Sequence, residues 1–247
     1  MQQAGENGEA VTAAKHQMED LKRYLRATEI IDSDHPDIQA FAKKNLGDAQ
    51  SAADKAMRLY YAVRDGIWYD PYYPFFLPEH YRASNVLKGR RGFCIPKVSL
   101  LCAAGRASGI PSRAGFATVR NHLATQQLLD FLGSNIFTFH GFAEFFLERK
   151  WVKATPAFNR ELCQRHGVAA LEFNGREDSI FQPYNTDQER FMEYIKFHGS
   201  FSDIPVGKII RAFQRTYGRK RVQGWIENFE KFGDIRRGRF DMEDVAK

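Results

Sequence analysis

The hydrophobic period of this chain changes from about 3.6 to 2 near Gly109-Ile110-Pro111, and that single change limits what it can fold into. Upstream, Ala52, Ala53, Ala56, Leu59, Tyr60 and Val63 fall on one face of a helix from about Asp48 to Arg64. A compact helix follows from Cys94 to Ala107. Pro96 is tolerated in its first turn, Gly109 is placed to stop it, and Val98, Leu101, Cys102 and Gly105 share its buried face. Downstream, SRAGFATV, HGFAEFFL and WVKATPAF alternate as strands, the last two forming an antiparallel hairpin about the polar turn Glu148 to Lys150.

The flanks are less regular. Ser33, Asp34 and Pro36 supply a helix start ahead of Ile38, Phe41, Ala42 and Leu46. Pro71, Pro74 and Pro78 exclude a regular helix from the aromatic stretch GIWYDPYYPFFLPEHYRA, which is either a loop packed on the core or one wall of a cleft. After Asn159 the pattern predicts a short helix at Glu161 to His166, a helix from Thr186 to Lys196 and another from Gly207 to about Tyr217. Residues 1–14 read as a disordered tail. Residues 15–247 read as one domain, with a core over about 50–160 and a helical C-terminal extension over about 160–247.

Composition narrows the function classes. A chain of 247 residues with 43% apolar content can bury a core without disulfides or metal. Its apolar runs fall short of the roughly 20 residues that a membrane span requires. Three cysteines are too few, and odd in number, for a secreted disulfide framework, and the N-terminus lacks a signal-type apolar stretch, so a cytoplasmic location is expected. The formal charge of +6 includes late clusters at Arg211, Arg215, Arg219, Lys220 and Arg221, then Arg236, Arg237 and Arg239. These read as a solvated basic face, since no nucleic-acid motif accompanies them, and neither a nucleic-acid nor a membrane partner is expected.

Of the three thiols, Cys94 has the chemically informative position. A helix N-terminus presents unpaired N–H groups and a positive dipole end, which favour a thiolate, and Arg90 and Arg91 lie beside it in sequence. Gly92 lets the chain enter the helix closely. A nearby imidazole would complete an activated nucleophile, and His140, at the entrance of the second strand, has a position from which to serve. Pro96 offers no N–H, so oxyanion donors must come from Cys94, Ile95 or another segment. Cys102 reads as a core residue and Cys163 as part of a surface helix. Cys163 and His166 form one half of a zinc-like pattern without a second half, and no metal or other cofactor is expected. Glu144 is expected to pair with a cation such as Lys153.

The blocks ASNVLKGRRGFCIPKVSLLCAAGRASGIPSRAGFATV and HGFAEFFLERKWVKATPAF resemble the core of the transglutaminase-like superfamily of papain-fold cysteine enzymes, over about Ala83 to Asn159. The resemblance implies an α+β fold: a nucleophile helix packed on an antiparallel sheet, here with extra N- and C-terminal helices. It also implies Cys94 as nucleophile and His140 as general base. Thr155 stands where the family's aspartate is expected, and a neutral hydroxyl can orient an imidazole but cannot stabilise imidazolium by charge. A turn at Leu147-Glu148 puts His140 opposite Thr155; one residue later puts it opposite Ala157, and Asn159 shares the parity of Thr155 as a second candidate orienter. Tyr69, His80 and His122 are candidates for the cleft or for a second oxyanion donor.

The expected activity is cysteine-dependent acyl transfer or hydrolysis on a peptide, protein or small amide or thioester through an acyl-enzyme. The alternative is a catalytically silent member of the family that binds peptide or protein in the same cleft. Calcium activation is not implied, because no carboxylate-rich loop of the calcium-binding kind is visible.

Overall fold

The computed structural model describes residues 19–181, 190–235, 240 and 243. The tail expected over residues 1–14 and the N-terminal part of the helix expected from Thr186 lie outside the described residues. In chain order the elements are α1 (Pro36–Leu46), α2 (Ala52–Gly66), β1 (Trp68–Tyr69), α3 (Ala83–Gly89), β2 (Arg91–Gly92) and α4 (Cys94–Ala107). They continue with β3 (Ser112–Asn121), α5 (Gln126–Leu132), β4 (Ile136–Leu147), β5 (Lys150–Ala154), α6 (Arg160–Arg165), β6 (Met192–Phe201), α7 (Val206–Tyr217) and α8 (Arg219–Phe232). A 3₁₀ turn at Pro78–His80 interrupts the aromatic stretch.

Helix caps explain the boundaries. Pro36 opens α1 because its missing N–H costs nothing in a first turn, and His35 rather than Ser33 or Asp34 caps it, accepting from the Asp37 amide at 3.2 Å. Ser51 accepts from the Asp54 amide at 3.0 Å, so α2 starts at Ala52, four residues after the start read from periodicity.

Helix α4 is buried on every side except at Ala107, as its low content of charged residues allows. It lies against β4, the second strand of a four-stranded antiparallel sheet ordered β5-β4-β3-β6. Two glycines set the approach. A Cβ on Gly141 would sit 3.3 Å from the Cα of Ile95, and one on Gly105 would sit 2.6 Å from the Phe145 ring. A Cβ on Gly92 would likewise meet the Pro96 ring at 2.8 Å, which is why glycine stands at the entrance to the helix. Strands β1 and β2 pair in parallel, Trp68 with Arg91 and Tyr69 with Gly92, and so clamp the aromatic stretch beside the start of α4.

The β4–β5 turn is formed by Glu148 and Arg149, with φ of 47° and 66°, the geometry of a two-residue hairpin whose twist matches its strands. Its register pairs Ala143 with Ala154 and Leu147 with Lys150. Continued toward the start of β4, that register puts Ala157 opposite His140 and leaves Thr155 one diagonal step away, so the later of the two turn positions is the one adopted. The β5 ladder ends at Ala154, however, and Thr155 instead donates its amide to the Ser179 carbonyl at 3.0 Å.

A bulge precedes His140. Ala117 opposes His140 while Val119 opposes Phe137, so Thr118 faces two residues of β4, and Phe139 takes the left-handed value φ 55°. Bulges re-aim the side chains that follow them.

The C-terminal part corrects two expectations. Residues 192–196 are strand, not helix: β6 pairs antiparallel with β3 and alternates Met192 and Tyr194 inward with the exposed Glu193 and Ile195. The extension beyond residue 160 is therefore not purely helical; it supplies one edge of the central sheet before α7 and α8. Cys163 is buried at 3% exposure, not on a helix surface, whereas Cys102 is a core residue as read. Glu144 pairs with Arg113 at 2.7 Å and accepts from Ser200, while Lys153, its cross-strand neighbour, pairs with Asp178 at 2.7 Å.

Candidate active site

Cys94 is the first residue of α4, and its Sγ accepts from the Gly141 amide of β4 at 3.5 Å. The close approach allowed by Gly141 is what brings the strand amide to the helix end. Cys94 and His140 line one cleft of about 60 Å³. Tyr69, Pro71, Tyr73 and Phe75 of the aromatic stretch form one wall, so the cleft-wall reading of that segment is the one realised. Phe137, Thr138 and Phe139 of β4 form another. Leu128 and Phe131 of α5, Phe213 and Tyr217 of α7 and Trp225 of α8 close it from outside. Phe131 and Trp225 stack at 4.5 Å, and the Tyr217 hydroxyl accepts from the Thr138 amide at 3.2 Å, fastening α7 to β4. The result is an apolar site with 9% exposure at Cys94 and 6% at His140.

That burial decides the protonation states. It pushes the Cys94 thiol up to about 11, against the opposing pull of the Gly141, Ile95 and Cys94 amides and, more weakly, the Lys97 charge. Arg91, expected to support the thiolate, instead pairs with Asp70 at 3.0 Å. The low-pKa thiolate expected from the helix dipole is thus overridden by desolvation. Burial pulls His140 down to about 4, and no carboxylate among the described residues offsets it. Both groups rest neutral near pH 7. The His140 Nε2 is buried without a hydrogen-bond partner among the described residues.

The candidate orienters part ways. Asn159 makes its hydrogen bonds elsewhere than to His140: Nδ2 donates to the carbonyls of Arg64 (2.6 Å) and Ile67 (2.8 Å), and Oδ1 accepts from the Tyr69 amide (2.8 Å). Lys97, fully buried, donates to the same two carbonyls at 2.8 and 2.6 Å. Asn159 and Lys97 together hold the end of α2 and the start of β1 against α4, a structural role that positions the cleft wall. Thr155 is buried with no hydrogen bond on Oγ1; its hydroxyl acts to lower the Tyr194 phenol, which burial nevertheless pushes up to about 12. His140 itself packs against Phe181, ring centroids 5.1 Å apart.

Tyr69 lines the cleft as expected, but its backbone N–H is committed to Asn159, so only its side chain faces the site. His80 does not reach the cleft. Its Nδ1 accepts from the Leu77 amide at 3.2 Å and its ring packs against Phe76 and Phe229. His122 is also elsewhere, 3.5 Å from Glu193. Among the described residues no group of three metal-ligating side chains converges, and no helix is long and apolar enough to cross a membrane.

Sequence reasoning missed the outer wall of the cleft. The apolar residues of α8, Val222, Trp225, Ile226 and Phe229, do recur at helical spacing behind the basic run that opens it. Nothing in the sequence signals that α7 and α8 fold back over Cys94.

Residues 39–156 match the family model of the transglutaminase-like superfamily. No curated protein matches the chain significantly. Among solved structures, the chain is similar to a candidate cysteine protease from Cytophaga hutchinsonii at 16% identity and a TM-score of 0.46, over 74% of this chain and 47% of that one. A candidate protease from Parabacteroides distasonis is similar at 16% identity and a TM-score of 0.37, over 57% of this chain and 25% of that one. The chain spans about half the length of the first and a quarter of the second.

Proposed function

From the match of residues 39–156 to the transglutaminase-like superfamily, we propose that the protein is a cysteine-dependent acyl-transfer enzyme acting on an amide, peptide or thioester carbonyl. The observation that carries this reading is the meeting of the α4 N-terminus with β4: one cleft holds a thiol, an imidazole with a free ring nitrogen, and backbone amides aimed at the sulfur.

The chemistry starts from neutral partners. As a carbonyl carbon approaches Cys94, the S–H proton passes to His140 Nε2 while the S–C bond forms and the carbonyl π pair moves onto oxygen. The amides of Gly141, Ile95 and Cys94 are the available donors for that oxyanion. Collapse of the adduct breaks the bond to the leaving group, which takes the proton from His140. Water or an amine, deprotonated by His140, then attacks the acyl-enzyme and releases the thiol. By resemblance Thr155 occupies the orienting position. The imidazolium formed in transit then relies on dipoles rather than on a carboxylate, which makes the step costlier than in an aspartate-bearing site.

The absence of that carboxylate and the raised thiol favour a second reading, a silent member that binds peptide in the same cleft. Trapping separates the two. Wild type and Cys94→Ala are incubated with cell extract and with an activated thioester, and the mass added to the intact protein is read. An adduct on Cys94 in wild type alone is expected; saturable peptide binding with no adduct would assign the silent role.

A further inference from the structure

The bulge that aims His140 has a second side. There, Thr138 and Phe139 form the floor of a groove of about 480 Å³ between α7 and β6. Lys208, Arg211 and Arg215 of α7 line it, and so do Lys196 and His198 of β6. The spacing explains the convergence. Residues 208, 211 and 215 share one helix face, residues 196 and 198 share one strand face, and the two faces bound the same groove.

No carboxylate among the described residues pairs with any of the four cations. Lys208 instead rests over the Phe201 ring at 4.6 Å. His198 is held in place by Thr118 Oγ1 at 2.8 Å and by stacking on Phe139 at 4.5 Å. Partial burial, then the charges of Lys196 and Arg215, hold its imidazole below the ordinary range, so the field in the groove is positive at the ring. Like charges gathered without counter-charge repel, and an anion bound among them relieves that repulsion.

The groove is short. From Lys208 to Arg215 the helix rises about 10 Å, and Arg219 and Lys220 lie past Gly218, outside the groove. We propose that it binds a compact polyanion, a small molecule carrying two or three linked phosphoryl groups, with Arg211 and Arg215 as fork-like ligands and Lys196 and Lys208 as point charges. The proposal is independent of the chemistry at Cys94.

Calorimetric titration of the full chain with inorganic pyrophosphate and orthophosphate at low salt tests it. One saturable site is expected, with pyrophosphate bound about ten-fold more tightly than orthophosphate, and affinity reduced about ten-fold or more in Arg211→Gln/Arg215→Gln. The control Arg219→Gln/Lys220→Gln is expected to bind within about two-fold of wild type, as is Cys94→Ala, because neither touches the groove. Equal binding by the groove variant, equal weakening by the control, or no saturable binding would overturn the proposal. So would a single-stranded oligonucleotide that binds more tightly than pyrophosphate and depends on Arg219 and Lys220, because that result assigns the face to nucleic acid.

Discussion

Acid should destabilise this protein through one imidazole. The folded-state pKa of His140 is about 4 because burial penalises its charge, whereas an unfolded histidine titrates near 6.5. Between those values the unfolded chain takes up a proton that the native imidazole refuses, so stability falls as pH drops from about 6.5 to about 4. At about 1.4 kcal/mol per pH unit, the loss from this group is about 3 kcal/mol, a large share of a typical domain's stability. Urea unfolding followed by far-UV circular dichroism between about pH 7 and pH 4 measures it, with His140→Gln as the comparison. His80 and His198 are also held down by burial, but they are common to both proteins and cancel in the difference. The wild type should lose about 3 kcal/mol more than the variant over that window. Parallel profiles would refute the reasoning, since they would mean that the His140 ring keeps its proton or reaches water.

Three further outcomes follow from the same geometry. Asn159→Ala should cost about 2 to 4 kcal/mol in urea unfolding, because it removes three buried hydrogen bonds and leaves the Tyr69 amide unpartnered; a loss below about 1 kcal/mol would contradict the clamp assigned to it. Iodoacetamide should label Cys94 slowly near pH 7 and faster as pH rises toward about 11. Trp225→Ala should accelerate that labelling by opening the outer wall, as read by peptide mass spectrometry, and an unchanged rate would show that α8 does not limit access. Gly105→Ala should destabilise by about 1 to 3 kcal/mol, since the new methyl meets the Phe145 ring at 2.6 Å where α4 rests on β4.

Much of the fold could be read locally. The limits of α4, the hairpin around Glu148 and the strand after Pro111 follow from period and punctuation, which act over a few residues. The strand β6 could not be separated from a helix in the same way, because Met192 to Phe201 earns its extended form by pairing with β3, about 80 residues away in sequence. Candidate residues divide along the same line. Cys94 was legible from a helix start, whereas His140, read as the entrance of its strand, lies four residues inside β4, just past the bulge that aims it. Asn159, His80 and His122 were polar residues at plausible places, and only their actual hydrogen-bond and packing partners reveal that none faces His140.

By itself the sequence determined which thiol stands at a helix N-terminus, which imidazole lies on the neighbouring strand, and that the position after Ala154 carries a hydroxyl instead of a carboxylate. Tertiary structure decided how those groups behave. The α7 and α8 helices fold over the cleft and remove water from it, so desolvation outweighs the helix dipole and leaves a neutral thiol beside a neutral imidazole. Charge followed the same rule: Arg91, near Cys94 in sequence, pairs with Asp70, while cations from α7 and β6, distant in sequence, share one groove. Local pattern governs hydrogen bonding within an element, but dielectric and field depend on everything packed around a group, and that is set only when the chain closes on itself.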